Sequence, residues 1–207
     1  MTTVGRWSPN KVRARVLDGT WVSPPEELGG MVLLTPTSIA YAGTSASIGA
    51  NGSVGFTAIT NLELRGVFSA DYDNYQIVFW WQATGGITTI RNRFMSGTTP
   101  ESGANYTLQQ LYADSTTVSG ARYSGQTAGV MGVGDAAQRN GYVVSIYGPY
   151  LTQPTAQRNV GIYSLNNATI YDDADTHSLS TSYDGINIFP YTNSITGLVS
   201  VYGLVGA

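Results

Sequence analysis

No apolar pattern with a 3.6-residue period persists beyond two turns in this chain, one candidate turn near 104–111 excepted. Without that period a helix has no stripe to bury, so strands are left to build the core. The two-residue period is plain. Over 74–82, Tyr75, Ile77, Phe79 and Trp81 alternate with Val78 and Trp80, which places the two sets on opposite faces of a strand. The last quarter repeats the pattern, with Ile186, Ile188 and Pro190 facing one way and Asn187 and Phe189 the other. A Tyr183-Asp184-Gly185 turn precedes it, since Gly tolerates positive φ and Asp caps its own backbone. Tyr191–Ser194 turns the chain again into a closing strand. Val199, Val201 and Val205 share one face of that strand and Leu198, Tyr202 and Leu204 the other. A strand apolar on both faces belongs at the centre of a sandwich or under a partner subunit. Truncation at this end is therefore expected to prevent folding.

Further strands are expected over 31–34, 38–42, 62–68, 87–95, 106–112, 116–122, 126–133, 142–147, 160–163 and 168–171, with a Gly/Ser/Ala-rich ribbon over 44–59. Many short strands separated by Gly-rich turns predict an all-β, jelly-roll-like antiparallel β-sandwich. This domain spans 31–207. Residues 1–30 read differently. Arg6, Lys11, Arg13 and Arg15 supply four of the ten basic residues within fifteen positions. Val12–Leu17 and Thr20–Ser23 flank Asp18-Gly19, the strongest short hairpin signal. A lone hairpin is marginal in water, and Trp7 and Trp21 are unlike the content of a disordered tail. The segment is expected to be a short β-hairpin docking arm carried on the linker 24–30, with Trp7, Arg13, Arg15 and Trp21 as its anchor residues.

Charge and chemistry narrow the function. Only 11% of the 207 residues are charged and the net charge is −3, against a usual charged share of about 25%. A nucleic-acid partner calls for a basic stripe, which is lacking. There is no cysteine, hence no thiol nucleophile and no disulfide. No run is long and apolar enough for a membrane span, and the Met1–Arg6 start lacks a signal peptide's apolar region. The expectation is a protein made in the cytoplasm without a signal peptide or membrane insertion.

His177 is the only histidine, so a Ser-His-Asp triad would have to use it, and no G-x-S-x-G elbow occurs. No carboxylate pair is marked out as a glycosidase pair. No enzyme activity and no cofactor are expected. Asp172, Asp173, Asp175 and His177 crowd one presumed loop, and Asp71, Asp73 and Asn74 another. Oxygen ligands at alternating positions suit Ca²⁺, but neither stretch has a calcium-loop spacing and turn capping is the preferred reading, so no metal is assigned. Of the adjacent Trp80 and Trp81, one belongs in the core and the other outward or at a subunit contact, although packing for both is the simpler reading. Tyr147 and Tyr150 in Tyr-Gly-Pro-Tyr, together with Trp80 and Tyr106, are the candidate receptor-contact residues, because exposed Tyr and Trp suit sugar stacking and contact hot spots alike.

The stretches Ser178–Pro190 and Ser194–Gly203, with Leu34–Ile39, Leu64–Ser69, Tyr72–Val78 and Tyr147–Leu151, resemble the C-terminal β-domain of tailed-bacteriophage minor tail, tail-fibre or receptor-binding proteins. The resemblance covers 31–207 and brings no catalytic signature. It implies a virion location, docking to other virion proteins through the arm, a homotrimer, and adhesion to a host-surface glycan. A head-fibre or capsid decoration protein and a free-standing carbohydrate-binding module are the alternative readings.

Overall fold

A computed structural model describes residues 30–113, 115–136, 138–163 and 168–205. The anchor residues Trp7, Arg13, Arg15 and Trp21, and the arm that carries them, lie outside the described residues. The described residues form fourteen strands, all in antiparallel ladders of one curled sheet. They are β1 (Gly30–Leu34), β2 (Ser38–Ile48), β3 (Val54–Arg65), β4 (Asn74–Ala83) and β5 (Thr88–Ser96). Next come β6 (Thr99–Pro100), β7 (Tyr106–Ala113), β8 (Val118–Gln126), β9 (Gly129–Gly134) and β10 (Asn140–Tyr147). β11 (Thr155–Tyr163), β12 (Thr169–His177), β13 (Gly185–Pro190) and β14 (Ile195–Val205) complete the order.

The sheet folds over on itself at β3. Val54–Ile59 of β3 pairs with β14, whereas Leu62–Leu64 pairs with β13. One layer thus runs β8-β7-β12-β11-β10-β4-β14, and the other contains β9, β5, β13, β3 and β2. β9 lies across β10, β11 and β12 without pairing to them, so the layers face each other as a jelly-roll-like sandwich. β14 is central, with β4 on one edge and β3 followed by β1 on the other.

The period-2 residues fill the core as the alternation requires. Tyr75, Ile77, Phe79 and Trp81 of β4 are buried against Ile59, Leu62 and Leu64 of β3 and Ile186 and Ile188 of β13. Each such side chain contributes about 1.5–3 kcal/mol by leaving water. Turns form where the chain supplies them. Asn193 adopts φ 64° between β13 and β14, and Gly66 adopts the same φ after β3, where a Cβ would collide with Thr37. That turn ends β3 at Arg65, so Phe68 is a core residue beyond the strand rather than part of it. The ribbon predicted over 44–59 splits at 49–53 into two strands. The candidate helical turn near 104–111 is instead β7, because β12 offers it a complete ladder partner.

Candidate binding face and buried polar layer

The outward face of the seven-stranded layer is ordered by register into rows. One row crosses Trp80, Ile162, Ile170 and Val118, and the next crosses Val78, Val143, Val160, Asp172 and Leu111. Apart from Trp80 and Asp172 these are exposed apolar side chains. A third row is polar and crosses Gln76, Arg158, Gln109 and Arg122. Tyr147 stands two positions further along, opposite Ala156.

Arg158 and Asp172 meet between the second and third rows. The Arg158 Nε donates to Asp172 Oδ1 at 3.0 Å and its Nη2 to Oδ2 at 2.6 Å, a two-pronged geometry. The hydrogen bond from Arg158 holds the Asp172 carboxyl below its usual range. A shallow depression of about 300 Å³ opens over the pair, lined by Gln109, Leu111, Arg158, Asp172 and Ala174. Both partners remain partly exposed, so the guanidinium keeps unused donors and the carboxylate unused lone pairs. The strand is longer than the 160–163 expected, and the alternation of Ala156, Arg158, Val160 and Ile162 is the signal that extends it, but only the β11–β12 register brings Arg158 to Asp172.

The candidate contact residues divide. Tyr147 ends β10 with 46% of its surface exposed, and Tyr150 is 36% exposed in the loop that follows. That loop is braced: Ser182 Oγ donates to the Tyr150 carbonyl at 2.5 Å, and the Tyr183 N–H donates to the Pro149 carbonyl at 2.9 Å. Trp80 faces outward while Trp81 is buried, so packing does not claim both. Arg139 lies 4.2 Å over the Trp80 ring and covers that face. Tyr106 is a correction. It is 1% exposed, stacked on Phe94, and its hydroxyl accepts from the Phe94 N–H and donates to the Glu101 carbonyl. The alternation that opens β7 turns it inward, and burial pushes its phenol far above the ordinary range.

The acidic stretch 172–177 is also a correction, because it is strand β12 and not a loop. Asp172 faces out, whereas Asp173, Asp175 and His177 face the opposite layer. His177 sits in an aromatic box, 4.5 Å from the Tyr106 ring, 5.3 Å from Tyr183 and 5.8 Å from Phe94. Burial lowers its pKa and keeps the imidazole neutral. Beside it the inward side chains of β11 and β12 are polar. Asp175 Oδ2 accepts from the Val130 N–H at 2.9 Å and from Gln157 Nε2 at 2.6 Å. Gln157 also exchanges hydrogen bonds with Asn92 and donates to the Val130 carbonyl. Burial pushes the Asp173 carboxyl up to about 8, with repulsion from Asp175 and Asp172 added. Burial likewise pushes Asp175 up to about 7, against the lowering effect of its hydrogen bonds. The other acidic stretch is a capped turn, in which Ser69 Oγ donates to Asp71 Oδ2 and the Asp73 carbonyl accepts from Gly148.

No protein-family model and no curated protein matches the chain. Solved structures similar to it include domain 4 of AbnA, a GH43 extracellular arabinanase from Geobacillus stearothermophilus, in complex with arabinotriose. That match has 12% identity and a TM-score of 0.33, and covers 88% of this chain and 86% of the other. The CBM22-1–GH10 modules of a Clostridium thermocellum xylanase, complexed with xylohexaose, match at 12% identity and a TM-score of 0.29, over 86% of this chain and 28% of theirs. A laminarinase from Flavobacterium sp. UMI-01 matches at 11% identity and a TM-score of 0.25, over 77% and 82%. Values this low carry no functional inference, and the reading of the site rests on its own geometry.

Proposed function

We propose that the domain is a non-catalytic glycan-binding module that makes contact through the outward face of its seven-stranded layer. The observation that carries this reading is the exposed Arg158–Asp172 pair under an open depression, with Gln109 in its lining and Tyr147 two positions along. Adjacent sugar hydroxyls need a donor and an acceptor side by side, and this pair offers both in fixed geometry. Tyr147 and the braced Tyr150 add flat apolar area at low entropy cost, suited to the face of a sugar ring. The setting proposed for such a module is the surface of a phage virion, as an adhesin anchored through its N-terminal arm, and that part rests on the sequence resemblance alone.

A second feature favours self-association through the same layer. The two apolar rows run from β4 to β8 across six strands, about 24 Å at the usual strand spacing, and exceed the scattered apolar residues normal on a monomer. The face also carries both a cation and an anion, which makes it complementary to another copy of itself. A homotrimer meeting along the apolar rows leaves the polar row and Tyr147 at the rim, where weak sites gain by avidity.

Glycan-array binding of wild type against Arg158→Ala, with native mass measurement alongside, tests both parts. Loss of array signal in the variant, with folding retained, supports the recognition face. Absence of any glycan signal from a stable oligomer favours a structural decoration role instead.

A further inference from the structure

We infer that the inward face of β11 and β12 is a site for one hard divalent cation, with Asp173 and Asp175 as its charged ligands and Asn159 as a neutral one. The inference is independent of the outward face. Four oxygens, Asp173 Oδ1 and Oδ2, Asp175 Oδ1 and Asn159 Oδ1, are enclosed without a hydrogen-bond partner. Their residues are 0%, 2% and 0% exposed in the order Asp173, Asp175, Asn159. Register gathers them. Asn159 lies directly opposite Asp173, and Asp175 follows two positions along the same face, so all three side chains leave one small patch of sheet.

Orientation is fixed from above. Asn159 Nδ2 is committed to the Val130 carbonyl of β9, which leaves the amide oxygen as the free end. Asp175 Oδ2 is held by the Val130 N–H and Gln157, which leaves Oδ1. The nearby donor Gln157 Nε2 is already shared among Asn92, Val130 and Asp175. Acceptors therefore outnumber the side-chain donors Gln157 Nε2 and Asn159 Nδ2 that reach them, and an unpaired buried acceptor or charge is costly. Two protons would relieve the carboxyls one at a time. One divalent ion neutralises both and also serves the Asn159 oxygen.

The donor atoms decide the class of ion. All are hard oxygens, which suits Ca²⁺ or Mg²⁺ over zinc or copper. Among the described residues no three His, Cys, Asp or Glu side chains converge, so the amide oxygen is a necessary ligand here. With Asp175 Oδ2 already hydrogen-bonded, the two aspartates and the asparagine leave four oxygens for the ion, and water or backbone carbonyls would complete a calcium shell.

The test uses full-length protein stripped with chelator and titrated with CaCl₂, MgCl₂ or MnCl₂ by calorimetry. One ion per chain is expected, bound by the oxygens of Asp173, Asp175 and Asn159. Asp173→Asn should weaken binding at least a hundredfold while the Arg158–Asp172 face is unchanged. Failure of the stripped, folded wild type to bind any of the three ions overturns the inference, as does binding that Asp173→Asn leaves unchanged. Should Asp173→Asn fail to fold, Asn159→Ala titrated in the same way takes its place, and binding unchanged by it overturns the inference.

Discussion

Stripped of divalent ions, the protein should become less stable as pH rises from 6 to 8, the reverse of the usual behaviour of carboxylates. Asp173 and Asp175 are held up to about 8 and about 7 by burial, while in the unfolded chain both titrate near 3.8. Between those values the native state retains protons that the unfolded state has released. Stability is therefore fully present below the unfolded value and is lost as pH climbs through the folded ones. The groups facing the pair do not cancel this. β9 and β5 present Val130 and Asn92, β7 presents Gln110 and Tyr106, and β11 presents Gln157 and Asn159. His177, on the same strand, has a lowered folded pKa, so it opposes the loss below its unfolded value of 6.5 and has no effect above it. Each excess proton held by the native state gives about 1.4 kcal/mol per pH unit. One net proton below pH 6.5, two up to 7 and one up to 8 sum to a loss of about 3 kcal/mol, a large part of a typical domain's stability. Urea unfolding followed by Trp fluorescence at pH 6, 7 and 8 in chelator measures it. Asp173→Asn with Asp175→Asn should flatten the profile. Stability that holds level or rises over this interval, or an unchanged slope in the double variant, refutes the burial argument.

Three further outcomes follow from the packing and the outward face. Gly132→Ala places a Cβ 2.6 Å from the Tyr142 ring, whose hydroxyl both accepts from and donates to the Val133 backbone; overpacking there should cost about 3 kcal/mol, read as a lowered Tm. Tyr147→Ala with Tyr150→Ala should cut glycan binding or host-cell adsorption at least tenfold and lower Tm by only a few degrees, since both side chains are exposed; unfolding of this pair would make them structural. Val160→Lys with Ile162→Lys should convert an oligomer to a folded monomer by native mass spectrometry, and a wild type that is already monomeric at micromolar concentration removes the self-association reading.

The two-residue alternation made the fold legible because tertiary packing agreed with it. Tyr75, Ile77, Phe79 and Trp81 were readable as one buried face, and so were Ile186 and Ile188. The turn at 191–194 declared itself through Asn-Ser chemistry, whereas the turn expected at 183–185 is extended chain, with Gly185 opening β13 at ordinary φ where a Cβ would meet the Leu64 carbonyl. The site was less legible for two physical reasons. Period 2 assigns residues to faces but does not say which face is enclosed, so the strand expected over 106–112 leaves Tyr106 open as a contact residue, whereas its ring points inward. Pairing across strands is non-local, and the Arg158–Asp172 contact depends on a register that composition does not encode. The acidic run 172–177 read as a loop because Asp is depleted in strands; only the partners β7 and β11 on either side make a strand of it.

β11 and β12 invert the ordinary pattern of a sandwich, and that inversion links the outward and inward faces. Their enclosed side carries Thr155, Gln157, Asn159, Thr169, Asp173, Asp175 and His177, while Val160, Ile162, Ile170 and Ala174 face outward. A shift of one residue would exchange the two sets, carrying Val160, Ile162 and Ile170 inward but Arg158 and Asp172 with them. The register is held against that shift by specific bonds, from Val130 and Gln157 to Asp175 inside and from Arg158 to Asp172 outside. A strand pair that turns polar groups inward and apolar groups outward is stable only if both faces find partners. The proposed divalent cation would match the carboxyls of the inner face. The proposed self-association would cover the apolar rows of the outer face. The two requirements can be separated, because removing metal with chelator should lower the stability of each subunit without dissociating the oligomer, while charging Val160 and Ile162 should do the opposite.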